Sequence, residues 1–476
     1  MAESPKLGSK IRALRRRENL TQVQLAQRLD ISASYLNLIE HNRRPLSAHL
    51  LIKLAQMFNL DLQSFTVDDQ AQMVGDLMEA FADPMFDSLE LVQGDVREFA
   101  NNYPNLARAT STLYQAYRNA KESASALASS VSDEGSEPVG MPSEEVSDLI
   151  QRHHNYFPDL EDAAEMLWRI ARLDGNDMYR GLVEYLDSVH GIQVRVEKEA
   201  NMGGHVRVFQ PREHVLLLSE ILAPRSRNFQ LAHQIGLLDS SDVLNRISRD
   251  HGLTSPESRS LCRVALANYF AGSVLMPYQP FLDAAKDLAY DVELLGHRFR
   301  SSFEQVCHRL TTLRRPGQEA IPLHMVRIDV AGNISKRFSA SGFRFARFSG
   351  ACPRWNEHQA FLTPGMVRVQ ISQMPDGTAY FSVARTVRDN SGGFTAPHAL
   401  HAVGIGCEVR FAKALVYARG VDLESLTAAV PVGVACRMCE RTDCEQRAFP
   451  PLLMPLRVDE NRRARSFYVT PSVEHE

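Results

Sequence analysis

Three cysteines toward the carboxyl end of the chain have the spacing of metal ligands. Cys436, Cys439 and Cys444 place three thiols within nine residues. Packing alone gives no reason for this spacing, whereas a metal ion or an iron–sulfur cluster does. Because four thiolates are the usual set, a fourth must come from a distant segment. We take Cys407 as that ligand, with Cys352 as the alternative.

Two other interpretations of these cysteines remain open. His398 or His401 could complete a zinc site in place of a fourth thiolate. Alternatively, the three cysteines have no ligand and simply lie in a loop. Cys262 and Cys307 fall in apolar helical patterns, so we expect them to be buried thiols. Three nearby arginines could offset the charge of bound thiolates: Arg437, Arg441 and Arg447.

A second stretch, from Arg227 to Gly236, resembles the zinc helix of ImmA/IrrE-type peptidases but lacks most of its chemistry. That chemistry requires two histidines one turn apart on zinc and a glutamate as general base. Here His233 is present, but Gln234 and Leu237 stand at the other two positions. The segment that would supply a third ligand has no carboxylate between Ser258 and Leu282. We therefore predict no zinc site and no enzymatic activity, and we expect His233 to be a core or pocket histidine.

A peptidase scaffold without its metal still contains a groove, and we predict that this groove binds a small effector. Basic side chains would meet phosphates and aromatic ones would line an apolar chamber. The candidate effector-binding residues are Tyr179, Arg180, Arg195, Lys198, Phe229 and Tyr269. Further basic residues that could meet phosphates are Arg207, Arg225 and Arg227.

The amino-terminal segment from Thr21 to Arg44 predicts two short helices joined by a tight turn. Its apolar spacing, its turn and its basic flank resemble the lambda-repressor/Cro-type DNA-binding domain over residues 7–66. In that domain the second helix enters the major groove. The resemblance implies that phosphates or base edges are contacted by Gln22, Ser32, Ala33, Ser34, Asn37 and Arg43.

Charge is distributed unevenly along the 476 residues. Residues 1–66 carry ten Lys and Arg against five Asp and Glu, a net charge of +5, whereas residues 67–150 carry a net charge of −12. A basic head beside an acidic segment suits specific DNA binding. The chain has neither an apolar run of about 18 residues nor a secretory leader pattern, so we expect a cytoplasmic protein without a disulfide framework.

The remaining patterns predict a multidomain chain. Residues 1–66 form an all-α helix-turn-helix head, and residues 67–142 a helical connector ending in a Ser-rich linker. Residues 143–318 form an α+β effector-binding domain, and residues 319–476 a β-rich α+β domain holding the thiolate metal site. Because a Cro-type head binds paired half-sites, we expect a homodimer or higher homo-oligomer.

The order of these parts resembles the short-chain fatty acyl transcriptional regulators. The most specific segments are Gly350-Ala-Cys-Pro-Arg-Trp355, Gly406-Cys-Glu408 and the stretch from Cys436 to Pro451. The resemblance implies regulation of propionate, acetate or glyoxylate-type carbon metabolism through operator DNA. It also implies an acyl-CoA effector in the middle domain and, in the last domain, an iron–sulfur cluster of the 4Fe-4S type rather than zinc. The alternative functions are a zinc metallopeptidase-type regulator and a phage-type repressor without a small ligand.

Overall fold

The computed structural model divides into two compact units, Met1–Tyr117 and Arg118–Glu476. The described residues are 11, 15, 20–40, 43–44, 46–47, 50, 53–54, 57–58, 68–86, 89, 91–129, 142–345, 351–388, 399–436, 439–441 and 443–449. No helix within these ranges is both long enough and apolar enough to cross a membrane.

The described part of the first unit contains the predicted pair of short helices, α1 (Gln22–Leu29) and α2 (Ala33–Glu40). Thr21 and Gln24 form a capping box at the start of α1, and Asp30 ends this helix in a left-handed conformation with φ of 61°. Ser32 caps α2, its Oγ accepting a hydrogen bond from the Tyr35 N–H at 3.1 Å. The two helices share one apolar core, formed by Ile11, Leu25, Ala26, Leu29, Leu36, Ile39, Leu50 and Leu54.

Three further helices follow, as the spacing of apolar residues after residue 67 predicts. They are α3 (Asp68–Ala80), α4 (Gln93–Asn102) and α5 (Pro104–Ser129). Tyr114 of α5 is buried, and its hydroxyl donates a hydrogen bond to Asp83 at 3.2 Å. The boundary between the two units falls inside α5, earlier than the Ser-rich linker that the composition indicates.

Between residues 142 and 311 the second unit, which starts inside α5, contains ten helices and a small sheet. The helices are α6 (Pro142–Arg152), α7 (Pro158–Ile170), α8 (Met178–His190), α9 (Glu199–Met202), α10 (Pro224–Asp239), α11 (Ser241–Ile247), α12 (Pro256–Leu275), α13 (Tyr278–Asp287), α14 (Val292–Arg298) and α15 (Phe303–Thr311). The sheet consists of β1 (Gln193–Glu197), β2 (Arg207–Gln210) and β3 (Val215–Ser219) in the order β1-β3-β2. β1 runs parallel to β3, and β2 antiparallel.

The stretch Leu288–Leu313 is helical but does not form one continuous helix. The chain breaks into α14 and α15 because Ala289, Tyr290 and Arg300 adopt positive φ values of 48°, 57° and 50°. Side-chain caps then restart each helix. Asp291 accepts from two N–H groups at the start of α14, and Ser302 forms a capping box at the start of α15.

The β-rich part forms a six-stranded sheet. Its strands are β4 (His324–Ile328), β5 (Ile334–Ser339), β6 (Arg368–Gln373), β7 (Ala379–Arg388), β8 (Leu400–Glu408) and β9 (Val430–Pro431). The strand order is β5-β4-β8-β7-β6-β9, and every pair is antiparallel except β6 with β9. β6 and β7 form a hairpin, with Gly377 at φ of 87° in its turn. A short helix, α16 (Asn356–Ala360), precedes β6.

One hydrophobic core joins the helical and β-rich parts of the second unit. It runs from Leu167 on α7 through Phe281 on α13 to Phe381 on β7 and Val403 on β8. The boundary between residues 318 and 319 that we infer from the sequence therefore separates two sequence patterns, and it crosses a continuous core.

Candidate functional site

A buried glutamate organises the predicted DNA-contacting residues. Glu40, at the end of α2, is 2% exposed and accepts hydrogen bonds from Arg15 Nε at 2.6 Å and from Gln22 Nε2 at 2.8 Å. The Gln22 side chain also lies 3.4 Å from Asn37 Nδ2, which donates to it. The carboxylate raises the pKa of Arg15, chiefly through the hydrogen bond, so the guanidinium stays charged. Glu40 thus positions Gln22 beside Asn37, a role that we did not predict from the sequence.

The remaining predicted DNA-contacting residues lie around the same end of the head. Ser32, Ser34 and Asn37 are exposed on and just before α2, and Arg43 is exposed beyond its end. Ala33 is half-buried and packs against the helical core, so little of it is open to a ligand. The arrangement leaves small polar side chains near a cation, which suits contacts with base edges and phosphate.

The remnant of the zinc-protease signature is occupied by a cation of the protein itself. His233 is buried on α10, and the guanidinium of Arg207 on β2 contacts its Nδ1. Burial and, second, the charge of Arg207 lower the pKa of His233 to about 4, so its ring is neutral at pH 7. Gln234 is buried beside it, and Leu237 packs against an apolar cluster that includes Leu266 of α12. These contacts are those of a core and provide no metal-binding group besides His233.

Tyr269, one of the predicted effector-binding residues, is a core residue. It is 3% exposed, and its hydroxyl donates a 2.6 Å hydrogen bond to Glu161. Glu161 in turn receives two hydrogen bonds from Arg309, at 2.5 and 2.9 Å, and Arg309 is 1% exposed. This buried network holds α7, α12 and α15 together. The sequence shows an aromatic residue on an apolar helix but not the carboxylate that its hydroxyl meets.

The other predicted effector residues are dispersed. Arg180 is exposed on α8 and ion-paired with Asp177 and Glu184. Tyr179 packs partly into the main core, and Phe229 lies half-buried with its ring 6.5 Å from that of His233. An open cavity of about 400 Å³ lies between Ala289 and residues 413–424, and no predicted effector residue lines it.

Two basic side chains lie at one edge of the small sheet, where the carboxylate of Glu220 is also found. β1 and β3 are parallel, so Lys198 after β1 and the start of α10 after β3 lie at the same edge. Glu220 connects these two ends, its N–H donating to the Glu197 carbonyl at 2.8 Å. Lys198 and Arg225 are exposed there, and no side chain caps the amino terminus of α10. A helix amino terminus with nearby cations is a favourable place for an anion.

Four cysteines line one narrow cavity beside β9, the strand at one end of the large sheet. Cys352 comes from the segment before α16, and Cys436, Cys439 and Cys444 come from the segment after β9. All four are free thiols. Burial raises the pKa of Cys352, and Cys436 and Cys439 are close enough to raise it further. Cys352, our alternative fourth ligand, therefore shares a site with the closely spaced three.

Cys407, our preferred fourth ligand, lies elsewhere. It is fully buried on β8, paired with Phe381 of β7, and belongs to the main core. Burial raises its pKa to about 12, as expected of an inert core thiol. His401 lies on the same strand and does not line the cysteine cavity, and His398 lies outside the described residues. Cys262 and Cys307 are fully buried, as predicted.

Arginines hold the backbone around the cysteine cavity. Arg447 is 6% exposed and donates hydrogen bonds to the carbonyl oxygens of Cys436 and Cys439, both at 2.7 Å. Arg441 donates to the carbonyl of Gln373 at 2.7 Å, which fastens the segment to β6. Both guanidinium groups lower the pKa of Cys439 against the larger effect of burial. Arg437 lies outside the described residues.

The donor set of this cavity suits a thiophilic metal centre. Four cysteines line it together with two arginines, and no carboxylate is among the cavity-lining residues. Gly433 leaves room for Cys439, since a Cβ on Gly433 would lie 2.8 Å from its Sγ. In the described ranges no three His, Cys, Asp or Glu side chains are already grouped at the distances that an ion requires. The residues therefore fit such a centre by chemistry and by location.

Together, a helix-turn-helix head and a peptidase-like scaffold without its metal-binding residues define a DNA-binding transcriptional regulator. Three family models match successive parts of the chain. They are a helix-turn-helix model at residues 11–65, an IrrE N-terminal-like domain at 187–311, and the short-chain fatty acyl coenzyme A regulator, C-terminal, at 312–468.

Relatives match over almost the full length. The HTH-type transcriptional regulator RamB of Mycobacterium tuberculosis is 40% identical over 97% of this chain and 98% of its own. The propionyl-CoA carboxylase regulator of Cereibacter sphaeroides is 41% identical over the same shares. A solved Mycobacterium tuberculosis transcriptional regulator is 42% identical with a TM-score of 0.66, covering 69% of this chain and 100% of that one. The chain therefore belongs to the family of HTH-type transcriptional regulators that carry the short-chain fatty acyl-coenzyme A regulator domain.

Proposed function

We propose that this regulator binds an operator in the cytoplasm and controls genes of short-chain acyl-CoA metabolism in response to an acyl-CoA. The observation that carries the DNA-binding part is the exposed polar start of α2, where Glu40 positions Gln22 beside Asn37. The metabolic assignment rests on the relatives, one of which is named a propionyl-CoA carboxylase regulator.

Substitutions in the head test the DNA contacts. The probe is a duplex selected from random DNA by the unsubstituted chain. We expect Ser34→Ala with Asn37→Ala to lower affinity for this duplex at least tenfold and to relax its sequence preference, because base contacts are lost. Arg43→Ala should weaken binding to all sequences and reduce the salt dependence. Gln27→Ala, an exposed change on α1, serves as the control; equal losses in all variants would contradict the assignment.

The edge formed by Lys198, Arg225 and the amino terminus of α10 is our candidate for the phosphates of the acyl-CoA. Coenzyme A carries several phosphate groups, and both cations and a free helix amino terminus stabilise them. Arg207 is unsuited to this role because it is engaged with His233 and with the carbonyl of Gln230. An effector acting here shifts operator affinity by its differential binding to two conformations, typically about 1–3 kcal/mol.

Calorimetry with propionyl-CoA, acetyl-CoA and free coenzyme A tests this site. Lys198→Glu with Arg225→Glu should raise the Kd for propionyl-CoA at least tenfold. Arg180→Glu is the matched control, because Arg180 is exposed but ion-paired on α8. Operator affinity that responds to none of the three compounds would refute the effector part of the proposal and leave DNA binding intact.

We further propose that Cys352, Cys436, Cys439 and Cys444 hold an iron–sulfur cluster, which would supply redox sensitivity or fasten the segment after β9. Arg441 and Arg447 would offset its negative charge. The test is an anaerobic absorption spectrum with iron, sulfide and zinc analysis. Cys352→Ser should abolish the visible absorption, whereas Cys407→Ser should retain it. Retained iron and sulfide in Cys352→Ser would contradict this ligand set, and stoichiometric zinc without sulfide would favour the zinc alternative.

A further inference from the structure

Helix α5 carries a row of apolar side chains that its own unit leaves open. Tyr103, immediately before the helix, is 58% exposed, and Leu106 and Leu113 are 59% and 72% exposed. With Thr110, these residues follow one another at intervals of three, four and three. This is the spacing of positions a and d of a heptad, which places Leu106, Thr110 and Leu113 on one side of α5, with Tyr103 just before its first turn.

A different side of α5 packs within its own unit. Ala107, Ser111 and Tyr114 are each less than 9% exposed. The hydroxyl of Tyr114 donates to Asp83, which lies between α3 and α4. The intramolecular contacts of α5 are therefore satisfied without Leu106 and Leu113.

The exposed row lies on a helix surface almost without charge. Arg108 is the one charged residue between Tyr103 and Tyr117, whereas residues 67–150 as a whole carry a net charge of −12. Two small exposed residues, Ala109 and Ala116, flank the row and would allow another helix to approach closely. A helix face in contact with water normally carries charged residues opposite its apolar stripe. The composition here is that of a contact surface.

We propose that this row pairs with the same row of a second copy, in a parallel two-helix contact. A single helix-turn-helix head covers one half-site, and two heads on one duplex are related by a two-fold axis. Such symmetry brings the same patch of each subunit together, so Leu106 and Leu113 meet their own counterparts. In coiled coils, charges at the positions that flank a and d determine which chain is the partner, and here such positions are occupied by the uncharged Ala109 and Ala116. Self-pairing needs no such charges.

Sedimentation velocity on the full chain tests the proposal. Leu106→Glu with Leu113→Glu places like charges at the contact and should raise the dimer dissociation constant at least tenfold. Asn105→Glu with Thr112→Glu adds the same charge to exposed positions outside the row and should leave it unchanged. An unsubstituted chain that stays monomeric at tens of micromolar would overturn the proposal, as would equal effects of the two pairs.

Oxidative cross-linking distinguishes this contact from dimerisation elsewhere in the chain. In a parallel pair the two copies of residue 113 are adjacent, so Leu113→Cys should form a disulfide-linked dimer readily. Thr112→Cys should do so several-fold less, and the unsubstituted chain gives the background of its seven native cysteines. Equal yields from the two variants would place the dimer contact outside α5. The outcome is independent of whether an acyl-CoA or a cluster is bound.

Discussion

The guanidinium of Arg207 contacts Nδ1 of His233, the histidine that remains from the zinc-protease signature. Burial lowers the pKa of Arg207 to about 10, so the group is still positively charged at pH 7. A fixed cation beside a neutral imidazole disfavours a second cation at the same place. The site has therefore lost two of its metal ligands, and it also contains the positive charge of Arg207, which opposes the binding of zinc.

We expect that restoring the signature will not restore zinc. Gln234→Glu with Leu237→His recreates the two missing side chains, but Arg207 remains and α12 has no carboxylate after Glu257 in its first turn. Zinc content after dialysis should equal that of the unsubstituted chain treated in parallel. One additional zinc per chain that a chelator removes would contradict this expectation.

Arg447 should control the stability of the segment after β9. Arg447→Gln removes the donors to the carbonyls of Cys436 and Cys439, and we expect it to lower the free energy of unfolding by about 1–3 kcal/mol. Urea unfolding of the metal-free chain measures this effect. Arg410→Gln is the control, since Arg410 is exposed and pairs with Glu408 at the surface. Equal stability of both variants would show that Arg447 has no positioning role.

Glu357 should make stability depend on pH. It is 5% exposed on α16, and burial raises its pKa from 4.5 to about 7. A carboxyl group with a raised folded pKa contributes full stability below pH 4.5 and loses it as pH rises toward 7. Glu357→Gln keeps the group neutral, so its stability relative to the unsubstituted chain should increase by about 3 kcal/mol between pH 4.5 and 7.

Comparing the two proteins at each pH cancels the contributions of all other titrating groups. Glu293→Gln is the control for the chemical change itself, because the Glu293 side chain is 51% exposed. A difference for Glu357→Gln that does not change with pH would show that the carboxyl group finds adequate solvation in the fold.

Gly406 should tolerate no side chain. It lies on β8 opposite His324, and a Cβ there would lie 2.6 Å from both the Phe381 carbonyl oxygen and His324 Nε2. Because the first of these atoms belongs to the backbone of β7, we expect Gly406→Ala to cost about 1–3 kcal/mol of unfolding free energy. Gly272→Ala on α12 meets no atom within 4 Å and should not destabilise. Thermal unfolding of both variants measures the contrast.

Periodicity predicted much of the fold because it reflects local structure. The apolar spacing in the head predicted α1 and α2, and the patterns after residue 319 predicted the β-rich part that forms the six-stranded sheet. The interruptions near Ala289 and Arg300 are not visible in the sequence, since the apolar pattern continues across residues with positive φ. Such breaks depend on tertiary packing that the pattern does not contain.

The site was predicted less completely, for the same reason. Three cysteines close in sequence predict a shared site. The choice of the fourth depends on the fold, because Cys352 lines the same cavity and Cys407 lies in the main core. Tyr269 is equally suited by composition to a pocket or a core, and the distant Glu161 decides the matter. The roles proposed for Lys198 and Arg225 became visible once the parallel pairing of β1 with β3 was known.

The continuous core beneath both parts of the second unit bears on how such regulators can evolve. Recombination near residue 318 would join a sheet from another protein to these helices, and the apolar surfaces of the two parts would not fit together. Inheritance should therefore keep these two parts as a single block. The amino-terminal head has its own separate core. Recombination can therefore exchange this head without disturbing the second unit, which would then act at different operators.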